Sequence, residues 1–559
     1  MHGLRPLGLG GNVLDESEAL SEAVGLYLPL DRCCGVSLQE QIYRGLRSAI
    51  LEGRLSAGRR LPASRALAAD LSVSRNTVKG AYLRLKSEGY LRSRTGSGSY
   101  VAPELPEALL RPGNEALSRP RYPEGTSAYA TGSGATEREK DEQASRRLSR
   151  RGAKLLETPV KVSVAAGSPR PFRPGMPAVD AFPWRLWSRL CSRRWRNPPR
   201  RWLVYGDPAG YRPLREAIAD HLRSSRAVNC SWERVVIVSG SQQALDLCAR
   251  VLLDPGEEVW VEEPGYPGAK AAFSGAGAKL APVPVDEEGL DVAAGEELAP
   301  EARLAFVSPS HQYPTGATMS LPRRLALLDW AARSGSWVVE DDYDGEYRYS
   351  GAPLPALQGL DEGFGDISED GPGALAGRVV YIGTFSKVLY PSLRLGYLVV
   401  PLDLLDAFIA AKELSDRQAP TMEQAVLADF IYEGHFANHL KRTRTLHAHR
   451  AQTLACAIRE RLGSVLEAQS PEAGLHLLAR LSGGGGLMRS PEGTAPHEDV
   501  QASRAALGAG VEALPLSAFH TGSAPRPGGL VLGHAGFAED EIVTAVDKLE
   551  EVLAAREDT

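Results

Sequence analysis

Cysteine is scarce in this chain of 559 residues. The six are Cys33, Cys34, Cys191, Cys230, Cys248 and Cys456. None forms a C-x-x-C pair, which excludes a disulfide scaffold, a zinc ribbon and a thioredoxin-like dithiol. Thiols so few and scattered point to a reducing compartment, and no metal site is expected. No run of about 18 apolar residues exists, so no transmembrane helix is expected. Met1 to Leu30 has four acids and no continuous apolar stretch, a poor signal peptide. The expected location is the cytoplasm, with no membrane partner. An excess of one charge is also missing. The 64 Lys+Arg face 69 Asp+Glu, a net −5, which excludes a chain that is basic throughout. Hydrophobic residues at 43 % and charged residues at 24 % exclude a mostly disordered or fibrous chain.

What is present falls into zones. Residues 31–105 carry 13 Lys+Arg against 6 Asp+Glu, a local +7 that leaves −12 for the rest. Residues 106–161 are rich in Pro, Gly, Ser, Arg and Glu without apolar periodicity, and read as a flexible linker. From about Val162 onward, short β-branched runs alternate with helical stretches. The runs are Val235–Val238, Glu258–Val261, Leu304–Val307, Trp337–Val339, Val379–Ile382 and Leu395–Val399. This predicts an α/β domain with a largely parallel sheet. The expected division is an N-terminal extension (1–30), a DNA-binding domain (31–105), the linker (106–161) and the α/β domain (162–559).

In the basic zone, Leu38, Ile42, Leu46, Ala49 and Ile50 form a helical stripe. A short helix follows from Ser64, then a tight turn at Ser72-Val73-Ser74 with Ser74 as N-cap, then a helix from Arg75 to Glu88. Helix, short turn, helix is the helix-turn-helix arrangement. Its second helix presents Arg75, Asn76, Thr77 and Lys79, residue types that read base edges and phosphates in a major groove. Tyr90-Leu91 and Tyr100-Val101 then flank Arg92, Arg94 and Gly96-Ser97-Gly98, a hairpin wing with a basic tip. The run Ile50 to Leu55, with Leu61-Pro62, Ser64-Arg65, Ser74 to Val78, Gly89-Tyr90 and Gly96 to Val101, resembles the GntR-type winged helix. That resemblance implies that Arg65, Arg75, Thr77 and Gly96 face double-stranded DNA.

In the large domain the decisive segment is Thr384-Phe385-Ser386-Lys387, followed by Arg394-Leu395-Gly396. Upstream stand Glu340-Asp341-Asp342-Tyr343, Pro309 to Gly316, Glu263-Pro264-Gly265-Tyr266 and Ser239 to Ala244. Each follows a predicted strand, where ligands bind in open α/β sheets. Together they suit pyridoxal phosphate. Lys387 can supply the amine that forms an imine with the cofactor aldehyde (a Schiff base). Asp341 can keep the ring nitrogen protonated, and Tyr343 can donate to the ring oxygen. Ser241 and Gln242 open a helix whose N–H groups suit a phosphate, and Ser386 and Arg394 add a hydroxyl and a guanidinium. Tyr266 can stack on the pyridine face.

From Val162 to Leu553 the chain resembles fold-type I, class I aminotransferases. The match to Tyr205-Gly206 implies that Tyr205 reaches the phosphate of the other subunit in a homodimer. Winged helix, linker and aminotransferase-like domain together resemble the MocR subfamily of GntR regulators. Two departures stand out. Tyr313 precedes Pro314 where class I enzymes carry a ring-contacting Asn, a role that falls to His311 or Gln312. The late strand Leu530-Val531-Leu532-Gly533 carries no arginine for a substrate α-carboxylate, and Arg526 is merely nearby.

The resemblance implies a pyridoxal phosphate-dependent transcriptional regulator. It would sense the cofactor or an amine or amino-acid effector, and control vitamin B6, amine or amino-acid metabolism. Two alternatives stay open at this point. One is a true aminotransferase with a vestigial or self-regulatory DNA-binding domain. The other is a DNA-binding module whose large domain serves for dimerisation.

Overall fold

The computed structural model describes residues 28–32, 35–94, 98–103, 149–157, 169–351, 354–361, 377–468, 471–482, 498–521 and 528–557. It divides into two compact units, Met1–Ala135 and Thr136–Thr559. Cys33 and Cys34, the wing tip with Gly96, most of the 106–161 segment, the Gly483–Gly486 run and Arg526 lie outside the described residues. Cys191, Cys230, Cys248 and Cys456 are free thiols. Among the described residues, no helix is long and apolar enough to cross a membrane.

The small unit is built from α1 (Leu38–Leu51), α2 (Ser64–Asp70), α3 (Arg75–Ser87), β1 (Leu91–Arg94) and β2 (Gly98–Val101). The α1 stripe Ile42, Leu46, Ala49 and Ile50 is buried against Leu67, Val78, Ala81 and Leu85. Ser74 caps α3 as expected, its hydroxyl accepting from Thr77 N–H at 3.1 Å. The wing is an antiparallel pair running from Leu91 opposite Val101 to Arg94 opposite Gly98. Leu28 is buried in this unit and Leu30 packs on it, so the head begins a few residues before position 31.

The large unit opens with α4 (Arg150–Glu157), which falls inside the range read as linker. Next come α5 (Trp184–Arg196), α6 (Arg212–Arg226), β3 (Val235–Val238), α7 (Ser241–Leu252), β4 (Glu258–Glu263) and α8 (Pro267–Ala276). Leu155 of α4 lies so close over Gly275 of α8 that a Cβ there would meet its methyl at 2.9 Å. The chain continues through β5 (Lys279–Asp286), β6 (Gly289–Leu290), α9 (Val292–Leu298), β7 (Leu304–Val307), α10 (Leu321–Ser334), β8 (Trp337–Asp342), α11 (Leu357–Asp361), β9 (Val379–Thr384) and β10 (Gly396–Val399).

These strands form one sheet in the order β3-β10-β9-β8-β7-β4-β5-β6. From β9 to β5 the neighbours are parallel, while β10 and β6 run antiparallel. The strands β3, β7, β8, β9 and β10 are buried end to end. That is why they read as continuous apolar runs: helices cover both faces. Val235, Ile237, Tyr381 and Tyr397 pack on one side against α6 residues Leu214, Ile218 and Leu222. Val236, Val238, Val380 and Ile382 pack on the other against Leu245, Cys248 and Phe273.

The C-terminal part comprises α12 (Leu405–Asp416), α13 (Thr421–Tyr432), α14 (His435–Arg461), β11 (Leu466–Ala468), β12 (His476–Leu481), α15 (Glu498–Gly508), β13 (Leu514–Pro515), β14 (Gly529–Gly533) and α16 (Glu539–Glu557). Its four strands make a second, wholly antiparallel sheet in the order β11-β12-β14-β13. The expectation of a largely parallel sheet did not extend to this layer.

Candidate functional site

The ends of β3, β4, β7, β8 and β9 converge, and the residues that follow them supply the site. Lys387 sits in the turn after β9, half-buried, and its Nζ donates to the carbonyl oxygen of Gly175 at 2.9 Å. Burial pushes its ammonium below the ordinary lysine range, against the opposing pull of Asp344 and Asp341.

Three consecutive acids at the end of β8 meet different surroundings, because successive strand side chains point to opposite faces. Glu340 accepts from the backbone N–H groups of Leu357 and Gln358, at the start of α11. Asp342 pairs with Arg226 at 2.7 Å and accepts from the Tyr381 hydroxyl at 2.6 Å. Asp341 lies between them and is different. It is buried, and its Oδ1 has no hydrogen-bond partner among the described residues. Burial, with Asp342, Asp344 and Glu262 nearby, pushes its carboxyl up to about 8, and Lys387 acts in the opposite direction. A buried, unpartnered carboxylate oxygen calls for an N–H or a cation.

A cradle stands at the other end. Gly240 precedes α7 with φ +115°, and a Cβ there would meet the Arg394 guanidinium at 3.3 Å. Arg394 therefore lies against the helix start opened by Ser241 and Gln242. Unpaired N–H groups and a guanidinium at one helix N-terminus favour a phosphate. Gln242 donates its side-chain amide to the Gly268 carbonyl at 3.1 Å. Ser386 donates its backbone N–H to Thr384 Oγ1 at 3.2 Å. Tyr266 is half-buried and within electrostatic reach of Asp341 and Arg394; burial first, then Asp341, pushes its phenol up to about 12.

Tyr343 has a partner that the sequence did not disclose. Its hydroxyl lies 3.2 Å from His311 Nδ1, and the same nitrogen lies 3.0 Å from Asp344 Oδ2. The His476 ring lies tilted 4.9 Å from that of His311, and its Nε2 is 3.2 Å from the Pro314 carbonyl. The departure at Tyr313 also resolves. Gln312 is consumed within its loop: its amide donates to Glu262 at 3.1 Å and to the Pro264 and Tyr313 carbonyls at 2.8 Å, and its oxygen accepts from Thr315. Tyr313 itself is half-buried, its ring edge-on to Tyr266 at 6.0 Å and to Tyr343 at 6.1 Å. Of the two stand-ins considered, His311 therefore lies beside Tyr343, and Gln312 has no free amide hydrogen bond to offer.

Tyr205 is not brought to this cluster within one chain. It is 79 % exposed, with the Arg417 guanidinium over its ring at 4.9 Å. Gly175, His476 and the His311–Asp344 pair were missed by sequence reasoning. For Gly175, the Pro174-Gly175-Met176-Pro177 punctuation was the one local signal, and it marks a turn, not a partner.

In the head, Arg65, Arg75, Asn76 and Lys79 are exposed. Arg75 and Asn76 open α3. The hydroxyl of Thr77 is shared with Ser74 Oγ at 2.8 Å.

Residues 38–101 match the family model of bacterial regulatory proteins, gntR family, and residues 194–549 match aminotransferase class I and II. A probable rhizopine catabolism regulatory protein, MocR of Rhizobium meliloti, is 39 % identical over 95 % of this chain and 96 % of its own length. The HTH-type pyridoxine biosynthesis transcriptional regulator PdxR of Corynebacterium glutamicum is 28 % identical over 90 % of this chain and 94 % of its own. Among solved structures, the α-aminoadipate aminotransferase LysN of Thermus thermophilus, complexed with N-(5'-phosphopyridoxyl)-L-leucine, covers 74 % of this chain and 97 % of its own. It does so at 30 % identity and a TM-score of 0.60. The large unit thus has the fold-type I architecture of pyridoxal phosphate-dependent aminotransferases, and the small unit is a winged helix-turn-helix DNA-binding domain. Because the likeness to MocR runs through both units in one order, the chain belongs to the MocR type of gntR-family transcriptional regulators.

Proposed function

We propose that this regulator holds pyridoxal phosphate on the strand ends of its large unit, and that the state of that site sets its affinity for promoter DNA. The observation that carries the reading is the buried Asp341 Oδ1, without a partner among the described residues and within electrostatic reach of Lys387, in a site that also holds the Gly240–Arg394 cradle.

Bound there, the cofactor supplies an aldehyde for amines and an electron-withdrawing ring. The chain's own groups do the rest. Lys387 offers an amine whose buried setting favours the neutral, nucleophilic form. Asp341 holds the proton on the ring nitrogen. Tyr343 donates its hydroxyl to the ring oxygen, and the His311–Asp344 pair fixes the direction of that hydroxyl. Ser241, Gln242, Ser386 and Arg394 hold the phosphate, and Tyr266 covers one ring face. Tyr205, exposed in the single chain, completes the site of a second copy, so the working form is a homodimer in the cytoplasm. Arg65, Arg75, Asn76, Thr77 and Gly96 meet the DNA. The signal is the cofactor itself or an amine reaching it. Such an effector acts only through its differential affinity for the two DNA-binding arrangements.

The test is a footprint of the purified protein on its own upstream DNA, with and without pyridoxal phosphate, beside Lys387→Ala. Protection that changes with the cofactor in the wild type and not in the variant supports the reading. Protection indifferent to both overturns it.

A further inference from the structure

Three residues that no local motif links meet in the large unit. His311 follows β7, Asp344 follows β8, and His476 opens β12. All three are buried. Each offers one ligand atom, and these atoms lie within 4.8 Å of one another. Two imidazoles and one carboxylate suit a dication of borderline softness. They suit Mg²⁺ and Ca²⁺ poorly, since those ions take oxygen ligands.

The hydrogen bonds show where the lone pairs are. A carbonyl only accepts, so His476 Nε2, 3.2 Å from the Pro314 carbonyl, carries that ring's proton. Burial keeps the ring neutral. The lone pair is therefore on Nδ1. Metal-binding histidines are held in this way, with the second nitrogen donating to a carbonyl or carboxylate. At His311, Nδ1 lies 3.0 Å from Asp344 Oδ2 and 3.2 Å from the Tyr343 hydroxyl.

The spacing is also close to that of a bound ion. Ligands about 2.0–2.2 Å from Zn²⁺ stand roughly 3.3 Å from one another. His311 and Asp344 are already that near, and His476 has at most about 1.5 Å to close. The surroundings favour a cation. Asp341 and Glu346 lie within electrostatic reach of Asp344, with Lys387 opposing them. A dication beside these acids offsets their mutual repulsion.

We propose that His311, Asp344 and His476 form a site for a divalent transition-metal ion of the Zn²⁺ type, in which the ion stands where His311 Nδ1 now holds a proton toward Asp344. The imidazole stays neutral, because that proton moves to Nε2 of the same ring. The ion also claims the nitrogen that meets the Tyr343 hydroxyl, and so releases that hydroxyl from His311.

Co²⁺ reports such a site by its own visible absorption. The full-length protein is dialysed against a chelator and titrated with Co²⁺. One ion per chain should bind at micromolar concentration, with the visible bands of nitrogen and oxygen ligands and without the near-ultraviolet band of a thiolate. One equivalent of Zn²⁺ should displace it, and about a thousandfold excess of Mg²⁺ should not. His476→Ala should weaken binding at least about tenfold. Should that variant fail to fold, the anomalous-scattering peak of Co²⁺ in wild-type crystals decides, by lying among these three side chains or elsewhere. No binding below about 1 mM, a thiolate spectrum, or unchanged affinity in folded His476→Ala overturns the site. Each of those results leaves the reading of the cofactor site standing, because the signal belongs to the ion alone.

Discussion

Lys387 Nζ and the Gly175 carbonyl oxygen meet at 2.9 Å across 212 residues of chain. The contact is possible because Gly175 has no side chain. At φ +74°, a Cβ on it would come within 2.4 Å of that nitrogen. The segment that leads into α5 is therefore folded directly onto Lys387.

Gly175→Ala should displace Lys387 without unfolding the domain. The left-handed backbone costs an alanine roughly 1 kcal/mol, and the clash adds to it. Pyridoxal phosphate affinity should fall by about tenfold or more, ~1.4 kcal/mol, as read by fluorescence titration. Unchanged affinity with unchanged circular dichroism would contradict the contact.

Asp341 gives a pH dependence with a definite sign. The unfolded carboxyl loses its proton near its ordinary value of 3.8, while the folded one keeps it to about 8. Between these values the folded state binds more protons, so raising the pH destabilises the cofactor-free protein. Each such group contributes a slope of up to about 1.4 kcal/mol per pH unit. Glu262 and Glu340, both pushed up to about 7 by burial, act in the same direction. Asp341→Asn should flatten the slope and stabilise the cofactor-free form near neutral pH, yet weaken cofactor binding. Urea unfolding across about pH 5 to 8 measures the first effect. A variant with the wild-type slope would refute the assignment.

Arg75 is the first residue of α3 and is exposed. Arg75→Ala should leave the melting temperature of the head unchanged and cost about 1–3 kcal/mol on a specific site. Wild-type binding should fall steeply with salt, as counterion release requires. Electrophoretic mobility shifts over a salt series test both; salt-independent binding would remove the head from the DNA.

Tyr205 and Lys387 can be tested as residues of two different subunits. Tyr205→Ala and Lys387→Ala homodimers should each hold the cofactor poorly. Refolded together, they should regain about half of the wild-type cofactor signal per mixed dimer, because one of its two sites then has both residues. No recovery in a proven mixed dimer would place Tyr205 outside the partner's site.

Much of this was written locally. The α1 stripe, the Ser74 cap, the turn before α3 and the buried β-branched runs follow from short-range periodicity and hydrogen bonding, which a sequence displays directly. So does the order of motifs after successive strands, since a parallel sheet brings all those ends to one edge. That is why Lys387, Asp341, Tyr343, Tyr266 and Arg394 could be named together before any coordinates.

What tertiary structure decided concerns residues far apart in the chain. Glu340, Asp341 and Asp342 are adjacent letters of one type. Only the neighbours that packed around β8 gave the first two amides, gave the last an arginine, and left Asp341 Oδ1 without a partner. Pairing between His311 and Asp344, and the approach of His476, required the antiparallel C-terminal sheet to close on β7 and β8. Local pattern gives the period of a strand. The face it turns to a distant partner is set by which apolar side chains must be buried when the layers meet, and the burial of Leu477, Ala479, Leu530 and Leu532 in the C-terminal core is what turned His476 toward His311.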